Sequence, residues 1–113
     1  MNIQIFGTKK SADSRKAERF FKERGVRFQY VDLKEKGLSK GELQSVAQAV
    51  GGLDRMIDPD AKDRDLLTLL EYLTPEAKME KLLENQQLLK QPVVRNGRQA
   101  TVGYAPDVWK TWQ

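Results

Sequence analysis

Hydrophobic and polar positions alternate near the start of the chain and then recur at helical spacing. Residues 2–6 alternate apolar and polar side chains, which predicts a short strand. Residues 11–24 carry apolar side chains at helical spacing and precede Gly25, a residue type suited to the left-handed position that ends a helix. Residues 26–31 alternate again as a second strand. A strand, a helix and a strand in such a short stretch imply a right-handed crossover and a parallel pair.

The middle of the chain, residues 33–89, predicts helices. Ser39 and Glu42 form a capping-box pattern that begins one helix, and a Gly-Gly pair ends it. The leucine-rich stretch 64–73 predicts a second helix, and the Thr-Pro-Glu sequence from Thr74 begins a third. We interpret this helical block as an insertion between two parts of one fold.

Residues 93–102 predict a hairpin, and the residues after them a short final helix. Asn96-Gly97 is the turn signal, because a type I′ turn requires two positive φ angles that these residue types adopt easily. Tyr104, Trp109 and Trp112 lie on or near the last helix. We expect these three side chains to pack on the sheet rather than to form a binding face.

Charge and composition exclude several classes of protein. The chain has 20 Lys and Arg against 16 Asp and Glu, and the net charge of +4 is spread along the sequence, which argues against nucleic-acid binding. No stretch approaches the roughly 20 apolar residues of a membrane span, and the amino terminus lacks the apolar core of a signal peptide. We expect a cytoplasmic monomer in which residues 1–113 form a single domain.

The chain contains no cysteine and no histidine. Disulfides and thiol catalysis are therefore excluded, and the usual transition-metal ligands are absent. Carboxylates remain as metal ligands, but they show no cage-like spacing. The sequence predicts no metal site and no bound cofactor.

Four stretches together resemble the ArsC/Spx family, which includes glutaredoxin-type arsenate reductases and the transcriptional regulator Spx. They are residues 6–17, 82–89, 91–94 and 102–104, the last ahead of the Trp109 helix. The resemblance implies an α/β, thioredoxin-like fold, with a mixed four-stranded sheet, a parallel βαβ unit and a C-terminal ββα unit. It assigns the thioredoxin-like part to residues 1–32 and 90–113, and the helical insertion to residues 33–89.

The resemblance also shows what is missing from the loop that joins the first strand to the first helix. Enzymes of the family have a cysteine where this chain has Ser11, and Spx-type members add a second cysteine where it has Ser14. A helix amino terminus lowers the pKa of a thiol into a useful range, but a serine hydroxyl is too weak an acid for the same effect. Without a neighbouring base, Ser11 is not a credible nucleophile.

The family resemblance further implies arginines that hold an oxyanion, and here that set is incomplete. The residue directly before the expected cis-proline is Gln91 instead of arginine. Arg55 is the candidate for a second arginine, after the Gly-Gly pair, and Arg98 for a third, after the hairpin turn. The resemblance predicts that Pro92 is cis and faces the loop.

Several polar residues are candidate ligand-binding groups, each with a simpler structural alternative. Ser11 either contacts a ligand or caps the helix, and the two roles are compatible because a ligand can displace a cap. The cations that bracket the loop, including Lys16, either attract an anion or are solvated surface charges. The full set of ligand-binding candidates is Thr8, Lys9, Lys10, Ser14, Arg15, Arg55, Gln91, Pro92 and Arg98.

Three hypotheses of function follow. The leading one is an arsenate reductase-related protein without thiol redox activity that binds a small anion, a glutathione-like ligand or a protein partner. The second is a glutathione- or glutaredoxin-dependent arsenate reductase whose cysteine is replaced by Ser11. The third, by analogy of fold, is an Spx-like transcriptional regulator that binds RNA polymerase.

Overall fold

Strands and helices follow one another in the order that the sequence predicts. The structure, a computed structural model, describes residues 1–112. The elements are β1 (Ile3–Gly7), α1 (Ala12–Glu23), β2 (Phe28–Asp32), α2 (Lys40–Val50), α3 (Arg64–Leu70), α4 (Pro75–Glu84), β3 (Val93–Asn96), β4 (Gln99–Val102) and α5 (Pro106–Trp109). Short 3-10 turns at Leu53–Met56 and Gln86–Leu88 flank the α3–α4 region. Over the described residues, no helix combines the length and apolar character needed to cross a membrane.

The four strands form one mixed sheet in the order β2-β1-β3-β4. β1 pairs in parallel with β2 and antiparallel with β3, and β3 pairs antiparallel with β4. Ile5 therefore lies between Tyr30 on one side and Val94 on the other. The predicted parallel crossover and C-terminal hairpin are confirmed, and with them the α/β, thioredoxin-like architecture.

The hairpin turn differs from the prediction in detail. Asn96 pairs with Gln99, so the two central residues of the turn are Gly97 and Arg98. Gly97 has φ of 62°, and no residue other than glycine has a positive φ in residues 1–112. The type I′ assignment at Asn96-Gly97 was wrong, because Asn96 stays in the strand, where its side-chain oxygen accepts a hydrogen bond from the Asn2 backbone N–H.

The sheet separates two hydrophobic clusters. Successive residues of a strand point to opposite faces, so Ile5 packs towards α1 and α5 whereas Phe6 packs towards α2–α4. The first cluster is aromatic: Trp109 lies against the rings of Phe20 and Phe21 at centroid distances of 5.3 Å. The second is mainly aliphatic and comprises Val31, Leu38, Leu43, Val46, Ala47, Met56, Ala61, Leu70, Met79, Leu82, Leu88, Leu89 and Val93 together with Phe6.

The prediction for the C-terminal aromatics holds in part. Trp109 and Trp112 are buried in the first cluster, as expected. Tyr104 remains 45% exposed, with its ring against the edge of Trp109 and beneath the Lys16 ammonium. Tyr104 precedes α5 and lies at the margin of the cluster, so the prediction that it is core was wrong.

Candidate functional site

The loop between β1 and α1, residues 8–11, ends in a serine N-cap. Ser11 has extended φ and ψ, and its Oγ accepts a hydrogen bond from the backbone N–H of Ser14 at 3.1 Å. The Ser11 backbone N–H in turn donates to the Thr8 carbonyl at 3.1 Å. Ser11 thus has the geometry of a helix cap. Its hydroxyl is held by the backbone at the start of α1 and is partly exposed.

Ser14 lies behind this loop and not on its outer face. Its side chain is fully buried, and its Oγ has no hydrogen-bond partner within residues 1–112. The hydroxyl approaches Gly7 so closely that a Cβ at that position would collide with it, and the same Cβ would stand 3.2 Å from the Tyr30 hydroxyl. This close approach explains why glycine ends β1. The structure therefore does not present Ser14 to a ligand in the cavity described below.

Tyr30 contributes the second hydroxyl of this buried niche. Its oxygen also lacks a hydrogen-bond partner in the described part of the chain. Burial raises the pKa of the Tyr30 phenol above its ordinary value, and the carboxylates of Glu18 and Asp32 raise it further. The nearby Ser14 hydroxyl opposes part of this rise, although the two groups do not meet hydrogen-bond geometry. The niche favours the neutral phenol.

Gln91 and Pro92, which directly precede β3, face the loop. The Gln91–Pro92 peptide bond is cis, as predicted, and Pro92 is buried. The Gln91 side-chain oxygen accepts hydrogen bonds from the Thr8 backbone N–H at 2.9 Å and from the Thr8 hydroxyl at 3.0 Å. Thr8 and Gln91, 83 positions apart in the chain, therefore join the end of β1 to the start of the neighbouring strand β3.

A cavity of about 930 Å³ opens in front of Ser11. We call it the loop cavity. The loop and Gln91 form one wall, and the helical segment 33–89 forms the rest. The lining residues are Thr8, Lys10, Ser11, Leu33, Lys34, Glu35, Lys36, Asp58, Asp60, Ala61, Lys62, Asp63, Leu83, Glu84, Gln86, Gln87, Leu88 and Gln91. Four lysines and five carboxylates thus share the lining.

Backbone hydrogen bonds tie the far wall of the loop cavity to the chain that leads into Gln91. The Asp58 N–H donates to the Leu88 carbonyl at 2.8 Å, and the Lys90 N–H donates to the Met56 carbonyl at 2.7 Å. Gln86 adds a side-chain link, because its amide both donates to and accepts from the backbone of Leu38, at 2.8 and 2.7 Å. The cavity is therefore bounded by hydrogen-bonded segments.

Most of the predicted cationic ligand groups lie outside this cavity. Arg15 donates to the Lys9 carbonyl at 2.6 Å, and Lys9 is exposed. Arg55 is exposed and lies against Gly51 at the end of α2. Arg98 is in the hairpin turn, at the end of the sheet opposite the loop, because the register pairs Ile3 with Asn96. The structure brings together Thr8, Lys10, Ser11, Gln91 and Pro92, but not Arg55 or Arg98.

The sequence reasoning missed two features of this site. The Thr8–Gln91 hydrogen bonds and the Gln86–Leu38 link depend on side chains that meet only in the folded chain. For the Thr8–Gln91 contact, the available signal was a polar residue directly before a predicted cis-proline. The sequence contained no signal for the Gln86–Leu38 contact, because Gln86 lies in an ordinary polar stretch.

Chemically, the loop offers hydrogen-bond donors and an ammonium but no thiol. The N-cap Ser11, which directly precedes the first N–H groups of α1, and the Lys10 side chain both line the loop cavity. The Ser11 hydroxyl accepts a backbone hydrogen bond and has no histidine to activate it, since the chain contains none. The arrangement suits binding better than nucleophilic catalysis.

Known proteins share this fold and sequence pattern. Over 109 residues the chain is 30% identical to "Global transcriptional regulator Spx 2" of Oceanobacillus iheyensis, covering 95% of this chain and 80% of that protein. The structure of an arsenate reductase from Vibrio cholerae superposes with a TM-score of 0.83 at 23% identity, covering 96% of this chain and 94% of the other.

A more distant structure shares the same fold. The glutaredoxin-like protein NrdH-redoxin from Escherichia coli superposes with a TM-score of 0.52 at 17% identity, over 100% of this chain and 96% of the other. At such identities, the likeness to these two structures concerns the fold alone. Residues 6–112, nearly the whole sequence, match the ArsC family. The chain therefore belongs to the ArsC family.

Proposed function

We propose that this ArsC-family protein acts by binding an anionic group at the loop cavity and does not carry out thiol redox chemistry. The observation that carries the proposal is Ser11, which caps α1 with its hydroxyl at the position where the family resemblance implies a cysteine. No atom in the chain can form a mixed disulfide or an arsenate–sulfur bond, because the sequence has no cysteine.

Electrostatics at the loop supports binding of an anion. The amino end of a helix carries partial positive charge and unsatisfied N–H groups. Lys10 adds a full positive charge beside it, and both line a cavity large enough for a small ligand or the tip of a protein segment. The ligand would thus contact Lys10, Ser11 and the α1 amino end.

A titration followed by amide NMR tests this proposal. Addition of a panel of anions, including acetate, N-acetylglycine, phosphate and arsenate, is expected to shift the amide resonances of Thr8, Lys10 and Ser11. The Ser39 amide serves as the internal control, because it already donates to the Glu42 carboxylate. If no anion shifts the loop resonances more than the Ser39 resonance, the binding proposal fails.

A reductase assay tests the negative half of the proposal. With arsenate as substrate and glutathione plus glutaredoxin as reductant, the protein is expected to show no turnover above a protein-free blank. Sustained turnover by this cysteine-free chain would contradict the proposal and favour the reductase alternative.

The second candidate function is transcriptional regulation through a protein partner. The observation in its favour is the 30% identity to a relative named as a global transcriptional regulator, over almost the whole of this chain. The partner would be RNA polymerase. Tagged protein incubated with purified RNA polymerase at low salt should retain the enzyme on a column, and no retention would count against this candidate.

A further inference from the structure

The Gln91 side-chain amide is held in one orientation by Thr8. A backbone N–H can only donate, so the Gln91 atom 2.9 Å from the Thr8 N–H is necessarily the carbonyl oxygen. The Thr8 hydroxyl lies 3.0 Å from the same oxygen. The oxygen of Gln91 is thereby occupied by two donors on the loop.

The amino group of Gln91 is consequently the part available to a ligand. Because the amide is planar, its nitrogen points away from the two Thr8 donors. Gln91 lines the loop cavity, and its nitrogen makes no hydrogen bond to any of residues 1–112. At this position the cavity therefore offers two N–H donors without a formal charge.

The charges around the cavity do not favour a doubly charged anion. Among residues 1–112 no arginine lines it, and its four lysines are outnumbered by five carboxylates. Of the three arginines considered above, Arg15 is engaged with the Lys9 carbonyl, whereas Arg55 and Arg98 lie elsewhere. A tetrahedral dianion would meet more negative than positive charge along this lining, while a carboxylate carries a single charge that Lys10 and the local donors can match.

We infer that Gln91, oriented by Thr8, is a specificity-determining residue that selects a carboxylate over a doubly charged tetrahedral oxyanion. This inference rests on the proposed function, since it names the chemical class of the group that the loop cavity binds. The carboxylate accepts from the Gln91 amino group and from the amino end of α1 beside Lys10.

The substitution Gln91→Glu tests the donor role with little change of shape. A glutamate oxygen still accepts from both Thr8 donors, but the two N–H donors are replaced by a second acceptor. We expect wild type to bind N-acetylglycine more tightly than phosphate in an NMR titration. We expect Gln91→Glu to weaken N-acetylglycine binding about tenfold or more, because a hydrogen bond to a charged group is lost.

Gln87→Glu is the matched control. Gln87 lines the same cavity and has its own side-chain contact with Asn85 at 3.4 Å, so the substitution adds the same charge away from Thr8. We expect it to change binding of N-acetylglycine no more than about twofold, as screened surface charges do. Equal losses of N-acetylglycine affinity in the two variants would overturn the inference, because the added negative charge and not the loss of the Gln91 donors would then explain them.

An NMR coupling across the hydrogen bond tests the orientation without any ligand. A coupling between the Thr8 amide nitrogen and the Gln91 side-chain carbonyl carbon is expected, and its absence overturns the inference. Phosphate binding as tight as N-acetylglycine binding overturns the inference alone and leaves the proposed function standing. If neither probe binds, the proposed function fails and the inference fails with it.

Discussion

Two serines cap two helices in this protein, and their surroundings differ. Ser39 at α2 belongs to a complete capping box, in which the Glu42 carboxylate binds the Ser39 N–H while the Ser39 hydroxyl binds the Glu42 N–H. Ser11 at α1 accepts the N–H of Ser14, but the Ser14 side chain turns inward and returns no hydrogen bond. The amino end of α2 thus carries its own carboxylate, which Arg95 also contacts at 3.3 Å.

The difference indicates two uses of one local motif. At α2 the helix end is saturated by residues of the same chain, which stabilises the contact between the helix and the sheet. At α1 no carboxylate of residues 1–112 is hydrogen-bonded to the cap: Asp13 in the first turn lies 3.9 Å from the Lys16 ammonium instead, and the N-cap Ser11 lines the loop cavity with Lys10. The two parts of the chain that carry these caps also differ in net charge. Residues 1–32 and 90–113 contain 12 Lys and Arg against 5 Asp and Glu, whereas residues 33–89 contain 8 against 11.

The largest effect expected within this comparison is that of Gly7→Ala. The added methyl group would collide with the buried Ser14 side chain, and overpacking of this kind costs about 1–3 kcal/mol of the free energy of unfolding. Gly41→Ala in α2 is the control, since a Cβ there meets no neighbour, and it should stabilise by about 0.5–1 kcal/mol. Urea unfolding measures both, and equal effects would contradict the close packing behind the loop.

A cysteine placed at each cap position would report the difference between the two helix ends through the pKa of its thiol. In Ser11→Cys, the amino end of α1 and Lys10 should lower the thiol pKa at least one unit below its ordinary value of about 8.5, worth about 1.4 kcal/mol, because the nearby Asp13 carboxylate is paired with Lys16. In Ser39→Cys, the adjacent Glu42 carboxylate should oppose any such lowering. The pH dependence of iodoacetamide alkylation reports both values. Equal pKa values would mean that the two helix ends are electrostatically alike.

Removal of each cap hydroxyl is expected to have a smaller effect, unequal between the helices. Ser39→Ala should cost about 1 kcal/mol, because one half of a reciprocal box is lost, and Ser11→Ala about 0.5 kcal/mol. Thermal and urea unfolding give the stabilities. Only Ser11→Ala should also change the anion titration. A ligand effect of Ser39→Ala as large as that of Ser11→Ala would remove the functional distinction.

The smallest expected effect concerns Tyr30 behind the α1 cap. Its raised pKa means that the folded state holds the phenolic proton more tightly than the unfolded state does. This contribution to stability is fully present below the unfolded pKa of about 10 and is lost as the pH rises through the folded value. Unfolding measured from pH 8 to pH 11 should therefore show a shallower loss of stability in Tyr30→Phe than in wild type. Tyr72→Phe is the control. Its side chain is 81% exposed, so this variant should lose stability with rising pH as steeply as wild type does.

Local patterns were enough to predict most of the fold. The order of strands and helices followed from alternation, helical spacing and caps, and the capping box at Ser39 and Glu42 is present as predicted. These signals are short-range, so the sequence contains them in contiguous residues. The turn type at Asn96-Gly97 was wrong because Asn96 pairs with Gln99, and an Asn-Gly pair does not by itself specify which two residues form the turn.

The candidate site was predictable only around the loop itself. Ser11 as a helix cap and Pro92 as cis are confirmed, the first from the residue type and position and the second from the family resemblance. The positions of Arg55 and Arg98 could not be obtained in this way. Both were suggested by the family resemblance and by their order in the sequence, but order does not specify on which end of a sheet or helix a side chain lies.

By itself, the sequence determined that this protein has no thiol chemistry, since a chain without cysteine cannot form a thiolate at any conformation. It also determined the secondary structure, because caps and hydrophobic periods act over a few residues. Only the tertiary structure decided that Ser14 is buried against Gly7, that Thr8 orients Gln91, and that the loop opens on a cavity lined by four lysines and five carboxylates. Each of these depends on atoms of different elements of the fold, which come within hydrogen-bond or packing distance only when the sheet and the helices assemble.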